Sequence, residues 1–229
     1  SFLKTNKFEI LYNKTLWAEG PYYIPHKDML IWSDNPNNIM LKLENEKVEE
    51  FRNPSNFCNG NTLDNEENII SCSHGGRCLY KTDSNLKVLT LIDNYNGNKF
   101  NSPNDACVKS DGSIWFTDPP YGILSDYEGY PGEQEYGGCY VFKFSPENNE
   151  LQVMIKNLDR PNGIAFSPDE KKLYVADSGE DVKSLYVYDI LDNKINNQRL
   201  VYDFKPFFLD GFRSDIDGNI WTSAGKAIK

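Results

Sequence analysis

Short apolar stretches alternate with polar turn residues along most of this chain. Examples are Met29–Trp32, Ser113–Thr117 and Lys172–Ala176, which are rich in Ile, Val, Tyr, Trp and Phe. Short β-branched and aromatic runs bounded by Asp, Asn, Gly and Pro predict β-strands joined by tight turns. No stretch has the 3.6-residue apolar period of an amphipathic helix. The pattern therefore predicts an all-β protein.

One short pattern recurs five times, and its second position always carries a side-chain oxygen. These second residues lie 40, 45, 58 and 48 positions apart, and a short apolar strand follows each of them after a turn. They are Glu19, Asn59, Asn104, Asn162 and Asp210. Units of about 45 residues with about four strands are typical of β-propeller blades. A β-sandwich also has short strands and turns, but it does not repeat a polar residue at one fixed register.

The longest interval contains an additional polar stretch, from Asp118 to Gly138, that is rich in Gly and Pro. Long loops in compact domains are usually functional or mobile. We expect this loop to project from one face of the propeller and to cover the mouth of the channel.

Equivalent positions of all blades in a propeller lie at the same distance from the axis, so the repeat predicts five polar side chains around one small volume. Two carboxylates held together repel each other unless a cation lies between them. Carboxylate and amide oxygens are hard ligands that suit Ca²⁺, Mg²⁺ or Mn²⁺. Alternatively, the Asn-Gly and Asp-Gly pairs form hairpin turns. Turn formation explains each of the three segments Asn59-Gly60, Asn162-Gly163 and Asp210-Gly211 individually. It explains neither the presence of Glu19 nor the register that all five segments share.

Composition narrows the class of partner. A formal net charge of −10 argues against nucleic acid or an anionic membrane surface as a partner. No apolar run reaches the roughly 18 residues of a membrane span. The five cysteines have no paired spacing, which predicts buried free thiols in a reducing compartment. The expected partner is a small molecule and the expected location is the cytoplasm, while the oligomeric state stays open.

Several motifs carry a family resemblance. They include Asn101-Ser-Pro-Asn-Asp105, Thr117-Asp-Pro-Pro-Tyr-Gly122 and Arg160-Pro-Asn-Gly-Ile-Ala-Phe166. Together they resemble the gluconolactonase/regucalcin (senescence marker protein) family over essentially the whole chain, with the bacterial-type gluconolactonases most similar. The resemblance implies a six-bladed propeller of four-stranded blades. Residues 1–229 are then expected to form a single propeller domain that is incomplete at its C-terminus and ends within the fifth blade.

The resemblance also implies a site chemistry. Glu19, Asn162 and Asp210 match the family's ligands for one divalent cation, with Ca²⁺ expected and Mg²⁺, Mn²⁺ or Zn²⁺ as alternatives. Asp210 is in addition the expected general acid/base in the hydrolysis of a sugar lactone such as glucono-1,5-lactone. A different lactone, ester or organophosphate on the same site is one alternative. A non-catalytic calcium-binding propeller is another.

Substrate contacts are expected from Asn104, Asn59 and His74. Asn104 matches the family's substrate-side asparagine, and His74 is either a channel-facing contact or a hydrogen-bonded surface histidine. Ser102 stands where the animal branch of the family has a substrate-binding arginine, so sugar recognition is expected to differ here. The family also places an early strand, Phe8–Tyr12, at the outside of the last blade.

Overall fold

The computed structural model describes residues 9–192, 194–224 and 227–228. Antiparallel β-sheets dominate it, and in each large sheet every strand pairs with the next strand along the chain. This meander, repeated from sheet to sheet, is the arrangement of propeller blades. The prediction of an all-β propeller is therefore confirmed.

The blades follow one another along the chain. The first contains β1 (Ala18–Ile24), β2 (Met29–Asp34), β3 (Ile39–Glu44) and β4 (Lys47–Arg52), and the second contains β5 (Cys58–Leu63), β6 (Ile69–Ser73), β7 (Cys78–Thr82) and β8 (Val88–Ile92). A small hairpin follows, formed by β9 (Asn94–Tyr95) and β10 (Asn98–Lys99). The third blade contains β11 (Ala106–Val108), β12 (Ile114–Asp118), β13 (Cys139–Ser145) and β14 (Glu150–Leu158). The fourth contains β15 (Pro161–Phe166), β16 (Lys172–Asp177), β17 (Ser184–Leu191) and β18 (Lys194–Asp203).

A fifth sheet has three strands, β19 (Leu209–Ser214), β20 (Ile220–Ala224) and β21 (Ala227–Ile228). The described residues thus contain four complete blades and this fifth sheet, and the number of six blades stays a prediction. Helical structure is limited to α1 (Tyr121–Leu124) and a 3₁₀ turn at Pro25–Lys27 in the part of the chain described. Residues 9–12 do not form the expected early strand, and Phe8 lies outside the described residues.

Apolar clusters between successive blades form the core. Phe100, Phe116 and Phe142 join the second and third blades, with ring centroids 5.2–5.3 Å apart. Strand β12 is buried at every position because blades cover both of its faces, whereas most of β18 is exposed. The apolar stretches recognised in the sequence are therefore the second strands of the blades. All five cysteines are free, and Cys107 alone among them is partly exposed.

In three blades the second strand ends in an aspartate, whose carboxylate binds the segment of chain that leads into the innermost strand. Asp34 accepts hydrogen bonds from the backbone N–H groups of Leu16 and Trp17. Asp118 and Asp177 accept equivalent pairs from the segments that precede β11 and β15. These bonds satisfy backbone donors that no strand pairs, and they fix where each innermost strand begins.

Candidate functional site

The repeated polar residues lie at the start of the innermost strands, where strand pairing is irregular. In β1, β5, β15 and β19 the register shifts at the repeat, for example between Glu19 and Tyr22 and between Leu209 and Phe212. Such a bulge bends a strand and changes the direction of its side chains. Four equivalent bulges explain how side chains from different blades reach one place.

A pocket of about 420 Å³ lies between these strand ends. All five repeated residues line it, namely Glu19, Asn59, Asn104, Asn162 and Asp210. The side chains of Phe212 and Trp221 are among the apolar parts of its wall. The structure thus brings together the residues that share one register in the sequence, while their roles as ligands stay predictions.

Glycines follow several of the repeated residues because the innermost strands approach one another closely. A Cβ atom on Gly20 would lie 2.3 Å from the carbonyl oxygen of Asn59, and one on Gly60 would lie 2.5 Å from that of Asn104. Gly163 is crowded in the same way by the next sheet. Gly60 and Gly163 lie within strands, so the interpretation of their Asn-Gly pairs as hairpin turns is wrong.

Burial and mutual repulsion act on the two carboxylates of the pocket. Burial, followed by the charge of Asp210, raises the pKa of Glu19 well above its ordinary value, although a 2.6 Å hydrogen bond from Trp17 Nε1 opposes the rise. Burial also raises the pKa of Asp210, against hydrogen bonds from the Asn162 side chain and from Gly211 N–H. A cation between two such carboxylates would remove their repulsion and stabilise their charged forms.

The donor set fits a hard divalent cation. Glu19 and Asp210 offer carboxylate oxygens and Asn162 offers an amide oxygen, which are the ligand types of Ca²⁺. Within residues 9–192, 194–224 and 227–228, no group of three or more His, Cys, Asp or Glu side chains could hold a metal ion. A cation in this pocket would therefore depend on amide oxygens and water in addition to the two carboxylates.

His74 lies beneath the long loop and does not line the pocket. It is almost fully buried, and its Nδ1 donates to the backbone oxygen of Glu128 at 3.1 Å. The Nε2 atom is buried and has no hydrogen-bond partner among the described residues. Burial lowers the pKa of His74 to about 4, so the ring is neutral at pH 7. The surface interpretation of His74 is therefore wrong, and a direct substrate contact stays a prediction.

The loop of residues 119–138, here called the lid loop, lies beside the pocket. Tyr121 donates to the Ser178 backbone oxygen at 3.2 Å. This bond ties the lid loop to the fourth blade. At the other side of the loop, the charge of Glu128 raises the pKa of Glu19. None of the residues 119–138 lines the pocket, so the expected position over the channel mouth stays a prediction.

An ion pair crosses the pocket from the fifth sheet to the third blade. Arg213 donates from both terminal nitrogens to the Asp105 carboxylate, at 2.8 and 3.1 Å, and also to the Asn61 backbone oxygen of the second blade at 3.2 Å. The Asp105 carboxylate also lies 3.4 Å from the Ile164 backbone N–H of the fourth blade. This pair connects four sheets around the pocket.

Sequence reasoning missed Asp105, Arg213, Tyr121 and Glu128. One indication was available, because Asn104 is followed by Asp105 where the other Asn and Asp members of the repeat are followed by glycine. No comparable indication exists for Glu128, whose neighbours in the chain form no recognisable motif.

The family relationships of this chain agree with this geometry. The model of the SMP-30/gluconolactonase/LRE-like region matches residues 17–228. The chain belongs to this family. A gluconolactonase of Zymomonas mobilis subsp. mobilis is 33% identical over 96% of this SMP-30/gluconolactonase chain and 68% of its own length.

Solved structures give the same relationship. A gluconolactonase from Xanthomonas campestris matches with a TM-score of 0.91 and 34% identity, covering 95% of this chain and 73% of that one. Regucalcin from Agrobacterium tumefaciens, a calcium-binding protein, matches with a TM-score of 0.74 and 16% identity over 94% of this chain and 70% of its own. At that identity the second likeness supports the fold alone.

Ser102 has a supporting position in this member of the SMP-30/gluconolactonase family. It is fully buried, and its hydroxyl donates to the Pro119 backbone oxygen at 2.6 Å and accepts from the Gly122 N–H at 2.9 Å. Ser102 therefore fixes the lid loop and is absent from the pocket wall. In the part of the chain described, no helix combines the length and the apolar character that crossing a membrane requires.

Proposed function

We propose that this chain hydrolyses a sugar lactone such as glucono-1,5-lactone with one divalent cation bound by Glu19, Asn162 and Asp210. The observation that carries the proposal is the convergence of these three oxygen donors, from the first, fourth and fifth sheets, on one pocket. Membership of the family, with gluconolactonases among the relatives, supports a lactone hydrolase. Ca²⁺ is the proposed ion because all the donors are hard oxygens.

Asp210 carries the proton in the proposed reaction. The oxygen of a water molecule attacks the lactone carbonyl carbon while Asp210 accepts the proton that leaves this water. The bond between the carbonyl carbon and the ring oxygen then breaks, and Asp210 returns the proton to that ring oxygen. A bound divalent cation supplies Lewis-acid stabilisation of the negative charge that develops on the carbonyl oxygen.

Asn162, Asn104 and Asn59 border the place where the lactone would bind in the proposed reaction. Asn162 lines the pocket from the fourth blade together with Asp210, and its amide oxygen is one of the proposed cation ligands. Asn104 borders the pocket from the third blade, where its amide can hydrogen-bond with a bound lactone, and Asn59 lies beside it on the second blade. A carboxylate close to a cation is a weak base, so the positioning of the water by Asp210 contributes alongside proton transfer.

The substitution Asp210→Asn tests the proposal. We expect lactone hydrolysis, measured as acid release with a pH indicator, to fall by about 10²–10⁴-fold because the proton carrier is lost. Asp217→Asn is the matched control, since Asp217 is an exposed residue of the same sheet region and has no contact with the pocket. Undiminished turnover by a folded Asp210→Asn protein contradicts the assignment.

A second experiment, in which a chelator removes the cation, separates catalysis from cation binding. Activity of the unaltered protein should disappear in a chelator and return when Ca²⁺ is added in excess. If the protein binds Ca²⁺ but hydrolyses no member of a panel of lactones and esters, it is a non-catalytic calcium-binding propeller and the proposed function is wrong.

A further inference from the structure

Asn162 lies in the irregular part of β15, where pairing with the neighbouring strand does not hold its backbone. Pro161 and Ile164–Phe166 have register partners in β16, whereas Asn162 and Gly163 have none. Asn162 is nevertheless buried, and a buried backbone oxygen requires a donor. The position of this proposed ligand therefore depends on a contact from outside its own blade.

Thr117, in β12 of the third blade, supplies that contact. Its hydroxyl donates to the Asn162 backbone oxygen at 2.7 Å. The same hydroxyl lies 3.4 Å from the Asp105 backbone oxygen, so its single proton favours the shorter contact with Asn162. It also accepts the Asp105 N–H at 3.2 Å. Thr117 is fully buried, so bulk water does not compete for these bonds.

The backbone of Thr117 holds another residue of the pocket. Its oxygen accepts from the Asn104 N–H at 2.9 Å, and its N–H donates to the Asp105 oxygen at 3.0 Å. Threonine is branched at Cβ, which restricts the direction of its hydroxyl relative to this backbone. Thr117 therefore sets the position of Asn162 relative to Asn104 in the neighbouring blade.

Ser178 makes a similar contact between the fourth blade and the fifth sheet. It follows β16 and is buried, and its hydroxyl donates to the backbone oxygen of Leu209, the residue directly before Asp210. Leu209 and Phe212 have register partners in β20, whereas Asp210 and Gly211 have none. The irregular start of β19 is thus also held by a hydroxyl group of the preceding blade.

The strands that carry Asn162 and Asp210 are in close backbone contact. A Cβ added to Gly163 would lie 2.7 Å from the Asp210 backbone oxygen and 3.1 Å from the Gly211 Cα. Packing this close leaves no space to absorb a shift. A displacement at the start of β15 would therefore move the start of β19, and with it the second proposed ligand.

We propose that Thr117 and Ser178 are positioning residues of the cation site, whose hydroxyl groups fix the backbones of Asn162 and Asp210 at the spacing that a divalent cation needs. The inference rests on the proposed cation ligands and names the residues that support them. Neither Thr117 nor Ser178 lines the pocket, so both act through the ligands. Outer partners that orient metal ligands typically contribute about 10- to 100-fold to metal affinity.

The substitution Thr117→Val tests the proposal because it keeps the shape of the side chain and removes the hydroxyl. By calorimetry on chelator-treated protein, we expect Ca²⁺ binding to weaken by about 10- to 100-fold. Thr117→Ser keeps the hydroxyl, and its affinity for Ca²⁺ should stay within about threefold of that of the unaltered protein. Ser178→Ala should weaken Ca²⁺ binding as Thr117→Val does, and it tests the proposal even if Thr117→Val does not fold.

Ser33→Ala is the matched control. Ser33 and Thr117 each directly precede the aspartate that ends a second strand, and the buried Ser33 hydroxyl donates to the Asn59 backbone oxygen at 2.8 Å. Asn59 is not a proposed cation ligand, and its oxygen also accepts from Asn61 Nδ2 at 3.1 Å. In chelator, Ser33→Ala and Thr117→Val should both lower the urea midpoint, but Ser33→Ala should leave the affinity for Ca²⁺ unchanged.

The outcomes separate this proposal from the proposed function. Unchanged Ca²⁺ affinity in folded Thr117→Val or Ser178→Ala overturns the positioning role. Equal weakening in Ser33→Ala, or no recovery in Thr117→Ser, overturns it as well, because the effect is then a general loss of structure. If the expected pattern appears but the unaltered protein hydrolyses no lactone, the proposed reaction is wrong and the positioning role stands. If the unaltered protein binds no Ca²⁺, the proposed ligands and the positioning role are both wrong.

Discussion

At the scale of single residues, burial shifts the pKa values of Asp118 and His74 in opposite directions. Burial raises the pKa of Asp118 to about 7, although it accepts hydrogen bonds from Tyr136 and from the backbone of Asn101 and Ser102. Its contribution to stability is present below about pH 4 and is lost as the pH rises toward 7. His74 behaves oppositely, since its folded pKa is about 4. Its contribution is present above about pH 6.5 and is lost as the pH falls toward 4.

His74→Phe should therefore flatten the acid side of the stability profile. Between pH 6.5 and 4 the unaltered protein should lose about 3 kcal/mol of unfolding free energy more than the variant, because its unfolded state takes up a proton that the folded state excludes. Urea unfolding at several pH values measures this difference, in which the Asp118 effect cancels. His26→Gln is the control, since His26 is the other histidine and is exposed. Parallel profiles for the unaltered protein and His74→Phe would contradict the prediction.

At the scale of elements, the innermost strands of neighbouring blades are in backbone contact through glycines. The contact explains why a residue without a side chain follows a repeated polar residue, and it links the positions of Asn59 and Asn104 directly. Packing does not require a glycine at position 211, because a Cβ added to Gly211 would meet no described atom within 4 Å. The same position in the repeat is thus crowded in one sheet and open in another.

Gly60→Ala should destabilise the protein, whereas Gly211→Ala should not. The Cβ at position 60 would lie 2.5 Å from the Asn104 oxygen and 2.7 Å from the Asp105 Cα, so the two blades must separate. We expect a loss of about 1–3 kcal/mol for this overpacking. Gly211→Ala is expected to be neutral or to stabilise by up to about 1 kcal/mol through the unfolded state. Urea midpoints measure both, and equal effects would show that the strand contact is looser than described.

At the scale of the whole molecule, apolar clusters join each blade to the next, while the Arg213–Asp105 pair reaches across the pocket. The Asp105 side chain is only 5% exposed to solvent, whereas the Arg213 side chain is 37% exposed. The buried carboxylate therefore depends on its partner more than the guanidinium does. The pair fixes the distance between sheets that do not pack directly side by side.

Arg213→Met should lower the unfolding free energy by about 2 kcal/mol. Breaking a buried pair costs roughly 3–5 kcal/mol, and we reduce this value because Arg213 is partly solvated. Arg199→Met is the control, because Arg199 pairs with Asp189 on the outer edge of the fourth blade with both side chains 38% exposed. Its loss should be smaller. An equal or smaller loss for Arg213→Met would show that the cross-pocket pair does not hold the blades.

The sequence by itself determined the all-β class, the positions of the second strands and the five polar residues that share the pocket. These properties depend on local periodicity and on equal spacing, which propensity and turn chemistry encode within each unit. Only the tertiary structure decided the bulges, the pairing of Arg213 with Asp105 across 108 positions, and the contact of His74 with Glu128 across 54. Such contacts depend on how blades pack and on where the lid loop rests, and short-range patterns carry no information about either.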